Sequence, residues 1–259
     1  MTRNEIIENN RNKKLGQEKS NYQNCIMKII EYNNSKNIVI EFQDKYKEKI
    51  RTSYSNFNKG NIKNHFIPTV LNIGYLGCTK VNNVNAYKHW VAILYRCYDK
   101  TSLKKSPNYI GCSVCDEWLC YANFEKWFNE NYYEIPNEEM CLDKDILIKG
   151  NKIYSPNTCI FVPKRINTLF IKCDKARGNL PIGVSKREEN KYKNSYRAKC
   201  RNIYGKRITS KTYKNPIECF YEYKKIKEQT IKDAADLYKD KIPNKLYDAM
   251  YNWKVEVND

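Results

Sequence analysis

Polar and apolar residues alternate along several short stretches near the start of the chain. Residues 26–32, 37–42 and 49–52 show the two-residue period of half-buried strands, and polar turn sequences rich in Asn, Ser, Asp and Lys separate them. Strands this short and this closely spaced favour a small antiparallel barrel. We therefore predict a small β-barrel-like module over residues 1–77.

The period then changes to that of a helix. Residues 86–99 place Trp90, Leu94 and Cys97 on one face, which predicts an amphipathic helix with that face buried. A second short helix is predicted over residues 124–131. These helices form the first half of a second predicted module.

Residues 141–170 predict two strands followed by the start of a helix. Ile146 and Ile148 occupy alternate positions in the first predicted strand, and Ile160 and Val162 do so in the second. A Gly-Asn pair between the strands supplies turn chemistry. The predicted order is therefore ββα.

Two oxygen-bearing side chains flank this ββα stretch. Asp143 lies just before the first predicted strand, and Asn167 lies near the start of the predicted helix. At this spacing a carboxylate and an amide oxygen could converge on one hard cation. Asp143 and Asn167 are therefore candidate metal ligands within a module that we assign to residues 78–177.

The order of short motifs in this stretch is specific: Leu-Asp-Lys, Gly-Asn-Lys, Tyr-Ser-Pro and Val-Pro-x-x-x-Asn follow one another. It resembles the ββα-metal (HNH) homing-endonuclease-like proteins of bacteriophages. The resemblance implies that Asp143 and Asn167 hold Mg²⁺ or Mn²⁺, and that the general base, a His in that family, is replaced here by Lys144. Because an ordinary Lys is charged at neutral pH, it is a poor base. We therefore expect cleavage to be absent or weak, with Lys144 acting as a cation that holds phosphate.

Residues 178–259 form the third predicted module, in which three strands precede an amphipathic helix that begins near residue 216. In the middle strand an apolar set alternates with a basic set, namely Tyr196, Ala198 and Cys200 with Arg197, Lys199 and Arg201. One face of the sheet is then predicted to pack on the helix while the other is cationic. Like charges on one exposed face repel, so this arrangement indicates a polyanionic partner. Two further helical stretches, split by an Ile-Pro pair, and a short strand are predicted to follow.

The strand pattern Gly-Val-x-x-Arg, Tyr-x-Ala-x-x-Arg, a Gly turn and a third strand that starts with Arg resembles the plant ethylene-response-factor (APETALA-type) DNA-binding domain. That family lays its sheet in the DNA major groove. The resemblance implies DNA contacts from Arg187, Arg197, Lys199, Arg201, Arg207 and Thr209. Arg suits guanine edges and Lys suits phosphates. The tryptophans of the plant motif are missing here, so no base specificity is carried over.

Composition supports a nucleic-acid partner. The formal net charge is +18 and the isoelectric point is about 9.3. Cations in this excess favour a polyanion, because neutralising phosphates releases counterions. The alternative explanation of the positive charge is an AT-rich genome, whose codons encode Lys and Asn throughout the chain. No apolar run approaches the roughly 18 residues that a membrane span needs, so we expect no membrane partner and an intracellular location, in the cytoplasm of a bacterial host.

Eleven cysteines stand at irregular spacing. Cys112 and Cys115 form a close pair, and no second close pair matches it, which argues against a disulfide framework and against a zinc knuckle. Zinc is therefore not expected. A site built from this pair and two of Cys120, Cys141 and Cys159 is the alternative.

The sequence as a whole predicts an α+β, multi-module, double-stranded DNA-binding protein of phage or prophage type. Two alternatives belong to other classes: a metal-dependent DNA endonuclease or nickase, and an inhibitor or scaffold that binds a host nucleoprotein such as a defence complex. The first alternative needs a base near Asp143, and the second needs an exposed apolar or charged patch outside both predicted sites. The sequence leaves the oligomeric state open.

Overall fold

The computed structural model describes residues 3–171, 178–187, 195–257 and 259. Helices and short strands are mixed throughout, which confirms the α+β class. The described helices are α1 (Arg3–Lys14), α2 (Tyr54–Lys59), α3 (Val84–Tyr98), α4 (Lys100–Lys105), α5 (Tyr121–Asn131), α6 (Lys164–Thr168), α7 (Pro216–Tyr238) and α8 (Asn244–Tyr251). The described strands are β1 (Glu18–Ser20), β2 (Ile26–Asn34), β3 (Asn37–Phe42), β4 (Lys49–Thr52), β5 (Ser113–Val114), β6 (Met140–Asp143), β7 (Ile153–Tyr154), β8 (Ile160–Pro163), β9 (Val184–Lys186), β10 (Tyr196–Arg201) and β11 (Arg207–Thr209).

The chain divides into two compact units. The first comprises Met1–Ile110 and Val114–Asn129, and the second comprises Gly111–Ser113 and Glu130–Asp259. The division into three modules stays a prediction. Among the helices in the described ranges, none combines the length and the apolar character that crossing a bilayer requires.

The first unit begins with the three predicted strands, which the structure confirms as β2, β3 and β4. With β1 they form an antiparallel meander in the order β1-β2-β3-β4. The barrel prediction is wrong for the described residues, because the edge strands β1 and β4 each pair with one neighbour and not with each other. Four strands this short form an open sheet, and Phe57 and Ile62 pack against its inner face instead.

The helical part of the first unit is held by large aromatic side chains. The predicted inner face of α3 is confirmed, since Trp90, Leu94 and Cys97 are all buried. The indole Nε1 of Trp90 donates a hydrogen bond to the carbonyl oxygen of Trp118 (2.7 Å), and Tyr121 of α5 packs against the Trp90 ring. These contacts hold the inner face of α3 against Trp118 and Tyr121.

In the second unit, β6 and β8 pair antiparallel and α6 follows directly. The predicted first strand is displaced: it ends at Asp143, and Ile146 and Ile148 lie in the turn that follows. The cause is local, because the Asp143 carboxylate accepts the backbone N–H groups of Asp145 (2.8 Å) and Ile146 (2.7 Å) and so turns the chain out of the ladder. The second strand is buried on both faces rather than on one.

One hydrophobic core joins the β6–β8 pair to the C-terminal helices. Ile160 and Val162 belong to the same buried cluster as Ile231 of α7 and Leu246 of α8. The predicted break between α7 and α8 is confirmed. The predicted terminal strand is wrong, because side chains take the backbone groups of Val255: Glu228 accepts its N–H (2.9 Å) and Lys224 donates to its carbonyl (2.6 Å).

The three strands β9, β10 and β11 form an antiparallel sheet in the order β11-β10-β9, as predicted. The predicted turn over residues 189–194 lies outside the described residues. Beneath the sheet, Ala198 and Cys200 pack with Phe220 and Tyr223 of α7 in a second core of this unit. This packing fixes which face of the sheet is solvent-exposed.

The approach of α7 to the sheet can be tested at Gly183. This glycine has a φ of +72°, and an added Cβ would lie 2.1 Å from ring carbons of Tyr223. Gly205 is a matched control, because it has a φ of +77° and nothing within 4 Å of an added Cβ. Both Ala variants should lose about 1 kcal/mol from the left-handed backbone. Gly183→Ala should lose roughly 1–3 kcal/mol more through overpacking.

Urea denaturation of the wild-type chain and the two variants measures this difference. Equal destabilisation by Gly183→Ala and Gly205→Ala would contradict the close packing of Tyr223 beneath the sheet.

Candidate nucleic-acid interface

The middle strand β10 has two chemically opposite faces. Ala198 and Cys200 are buried, whereas Lys199 and Arg201 are exposed. Successive side chains of a strand point to opposite sides, so burying the apolar set on α7 leaves the basic set outward. The predicted alternation is thereby confirmed for this strand.

The strand register brings other predicted residues onto the same outward face. Directly opposite pairs are Arg197 with Ser185, Lys199 with Thr209, and Arg201 with Arg207. The register thus places Arg197, Lys199, Arg201, Arg207 and Thr209 on one face of one sheet. Arg187 lies one residue beyond β9, where its N–H donates to the Ser195 carbonyl (2.9 Å).

The charge on this face is unbalanced. The described ranges 178–187 and 195–215 contain nine Lys or Arg and no Asp or Glu. Over the whole of 178–215 the sequence has 11 basic and two acidic residues, a net +9, which is half of the formal +18 of the chain. Opposed cations such as Arg201 and Arg207 destabilise a bare sheet, so a bound anion would relieve their repulsion.

The meander of the first unit provides an internal comparison. Its cations stand close to carboxylates, in the pairs Lys28–Glu18 (3.3 Å), Lys49–Glu41 (3.9 Å) and Arg51–Glu31 (3.7 Å). By contrast, Lys199 and Arg207 have no ion pair with a carboxylate of the described residues. A general excess of Lys in the composition does not explain this difference between two sheets of one chain.

Some polar groups on or beside this face were not predicted from the sequence. Arg197 is oriented by its Nε donating to Thr212 Oγ1 (3.1 Å), and Ser185 Oγ donates to the Arg197 carbonyl (3.2 Å). The β10–β11 hairpin carries Lys206 and the 70% exposed Tyr204. The turn signal at Gly205 marked the hairpin, but only the register shows which side chains it presents.

The second predicted site lies around Asp143 at the end of β6. Burial, followed by the neighbouring charge of Asp145, raises the pKa of the Asp143 carboxyl to about 6. The carboxylate already accepts two backbone N–H groups in the turn. Asp143 therefore has a structural role that the sequence prediction did not include.

Lys144 is only 7% exposed, and its Nζ lies 3.2 Å from Asp145 Oδ2. The ammonium also lies 5.9 Å from the ring centroid of Tyr154. An ammonium paired with a carboxylate has no lone pair with which to accept a proton from water. Its burial also argues against the predicted role of a surface cation that holds phosphate.

Asn167 is the fourth of the five residues of α6, within about one turn of the helix start. The described residues contain no group of three His, Cys, Asp or Glu side chains that could hold a metal ion. Asp143 and Asn167 would supply two oxygen ligands, and a Mg²⁺ or Mn²⁺ ion would need water or substrate oxygens for the rest. Metal binding at these two residues stays a prediction, as does the absence of zinc.

The two histidines of the chain both belong to the first unit, and each is engaged there. His65 is buried with its Nδ1 2.7 Å from Glu48 Oε1, and His89 Nδ1 donates to the Asn85 carbonyl (3.0 Å). These contacts position both rings as structural groups of the first unit.

Comparison with known proteins found no matching family model, no matching curated protein and no matching solved structure. The two family resemblances therefore rest on the sequence motifs alone. The function has to be argued from the geometry and charge of the described residues.

The environment of Asp143 predicts a pH dependence of stability. Because its pKa rises from 3.8 to about 6, the folded state holds more protons on this carboxyl, and its contribution to stability falls as the pH rises through that interval. Asp143→Asn keeps an acceptor oxygen but cannot ionise. Between about pH 4 and about pH 7.5, the stability of Asp143→Asn relative to wild type should rise by roughly 2–3 kcal/mol.

Denaturant unfolding at several pH values measures this change. Asp99→Asn is the control: the Ser102 backbone N–H lowers the pKa of Asp99, so its titration lies below this interval and its curve should stay parallel to that of the wild type. Parallel curves for Asp143→Asn as well would contradict the buried environment assigned to Asp143.

Proposed function

We propose that this chain is a double-stranded DNA-binding protein that contacts DNA through the outward face of β9, β10 and β11. The observation that carries the proposal is the convergence of Arg197, Lys199, Arg201 and Arg207 on one face without a carboxylate in the described part of the sheet. A duplex supplies regularly spaced phosphates along a groove that admits a β-ribbon.

The chemistry of the face suits both kinds of DNA contact. Arg side chains can pair with guanine edges in two hydrogen bonds, and Lys side chains act as mobile charges for phosphates. Thr209 adds a hydroxyl beside Lys199. The resemblance to the APETALA-type domain supports the same assignment, and α7 supplies the rigid support that a reading sheet needs.

We further propose that the ββα stretch does not cleave DNA, or cleaves it slowly. The pairing of Lys144 with Asp145 and the use of Asp143 as a turn acceptor support this choice over the endonuclease or nickase. The phage-type origin and the intracellular setting remain part of the proposal and rest on the resemblances.

DNA binding is tested with the double variant Arg197→Ala/Arg201→Ala. Each lost base or phosphate contact should cost roughly 1–3 kcal/mol of binding free energy, and each lost phosphate contact should reduce the salt slope by about 1. Fluorescence anisotropy with a duplex oligonucleotide over a series of salt concentrations measures both quantities.

The matched control is Lys49→Ala/Arg51→Ala on the first sheet. It removes the same net charge, but from cations that already face carboxylates. We expect little change in affinity or salt slope. Equal losses from the two double variants would show that net charge alone governs binding and would refute the proposed interface.

Cleavage is tested with supercoiled DNA in Mg²⁺ or Mn²⁺, with EDTA as the control. The wild-type chain should give no metal-dependent nicking. Nicking that Asp143→Ala abolishes would overturn the non-cleaving proposal and restore the endonuclease. Lys144→His is the complementary variant, because it returns the family's base beside Asp143 and should introduce cleavage if these residues still bind metal.

A further inference from the structure

Helix α3 of the first unit is apolar on two sides. Its inner side buries Trp90, Ile93 and Leu94. Its outer side carries Val84 and Tyr95, which are 62% and 43% exposed. Exposed apolar side chains that cluster on one surface are typical of contact sites, so the outer side has the composition of a contact surface.

The outer side forms a shallow groove that is open to solvent. Its volume is about 380 Å³, and its described lining consists of Tyr87, Lys88, Val91, Ala92 and Tyr95. These residues recur at intervals of three and four along the helix, so the groove follows the helix axis. All of the lining except the Lys88 ammonium and the two phenol hydroxyls is apolar. Such a groove accepts apolar side chains presented at the same spacing by a second helix.

The segment that carries this groove is basic. Residues 79–110 contain one acidic residue, Asp99, and six basic residues, namely Lys80, Lys88, Arg96, Lys100, Lys104 and Lys105. The Asp99 carboxylate is occupied as the N-cap of α4, where it accepts the Ser102 N–H (2.7 Å). Lys88 belongs to the described lining, and Arg96 follows Ala92 by one turn of the same helix. A partner that covers the groove therefore meets positive charge, and acidic side chains would complement it.

We propose that the α3 groove binds an acidic amphipathic helix of a partner protein. The partner's apolar side chains fill the groove, and its flanking carboxylates face Lys88 and Arg96. A second copy of this chain fits less well, because it would bring its own Lys88 and Arg96 against the same charges. Duplex DNA would leave the apolar lining without a partner. The surface is separate from the sheet face proposed to bind DNA, and the inference does not depend on that proposal.

The probe is a synthetic helical peptide of about 18 residues with Leu at the i, i+3, i+4 and i+7 positions and Glu on the flanking positions. A peptide of the same composition with the Leu residues redistributed is the control. Fluorescence anisotropy with the full chain should show binding of the patterned peptide, with the redistributed peptide at least about tenfold weaker. Equal affinities for the two peptides would overturn the proposal.

Two variants locate the binding site. Val91→Glu places a charge in the groove and should weaken the patterned peptide by about tenfold or more. Lys88→Glu should weaken it by about threefold to tenfold, whereas Lys126→Glu, on an exposed position of α5, should not. A peptide with Lys in place of Glu should in turn bind Lys88→Glu more tightly than it binds the wild type. Similar effects from Lys88→Glu and Lys126→Glu would refute the location.

Two further measurements separate the other occupants, with circular dichroism confirming that the variants are folded. Sedimentation should show the same mass for the wild type and Val91→Glu. If the wild type is a dimer and Val91→Glu is a monomer, the groove binds a second copy of the chain. Duplex DNA affinity should be equal for these two proteins. A loss of DNA affinity in Val91→Glu would assign the groove to nucleic acid, and either result overturns the proposal.

Discussion

A pleated strand can bury only alternate side chains on one supporting helix, and this constraint governs the sheet of the second unit. Ala198 and Cys200 of β10 lie against Phe220 and Tyr223 of α7. The residues between them must therefore point to solvent, whatever their charge. Because β9 and β11 are held in antiparallel register with β10, their outward residues add to the same surface. The cationic face is thus a consequence of how the apolar face is buried.

The cations on the two larger described sheets have different surroundings. On the meander of the first unit, Lys49 and Arg51 lie near carboxylates, and such exposed pairs contribute little but cancel their repulsion. On the sheet above α7, Arg201 stands directly opposite Arg207. Folding gains nothing from that arrangement, whereas a bound anion would relieve the repulsion. The proposed contacts with DNA therefore use residues that the stability of the sheet does not require.

In the ββα stretch, by contrast, the residues that carry the family resemblance make contacts that stabilise the fold. The Asp143 carboxylate ends β6 by accepting backbone N–H groups, and the Lys144 ammonium is buried beside Asp145. A motif read from the sequence gives the order of side chains but not the hydrogen bonds that already occupy them. Local side-chain to backbone bonding competed with the predicted strand, so that the strand ends at Asp143.

Much of the local structure follows from the sequence alone. The alternation in β2, β3, β4 and β10, the helical period of α3, and the Pro243 break between α7 and α8 were all readable, because side-chain period and proline geometry act over a few residues. The placement of Lys199 and Arg201 on the exposed face of β10 also followed from the alternation. Tertiary structure decided the rest: the open edge of the meander, the burial of Lys144, the contact of Arg197 with Thr212, and the second apolar side of α3. Each of these depends on which distant segments pack together, and a local pattern of residues does not contain that information.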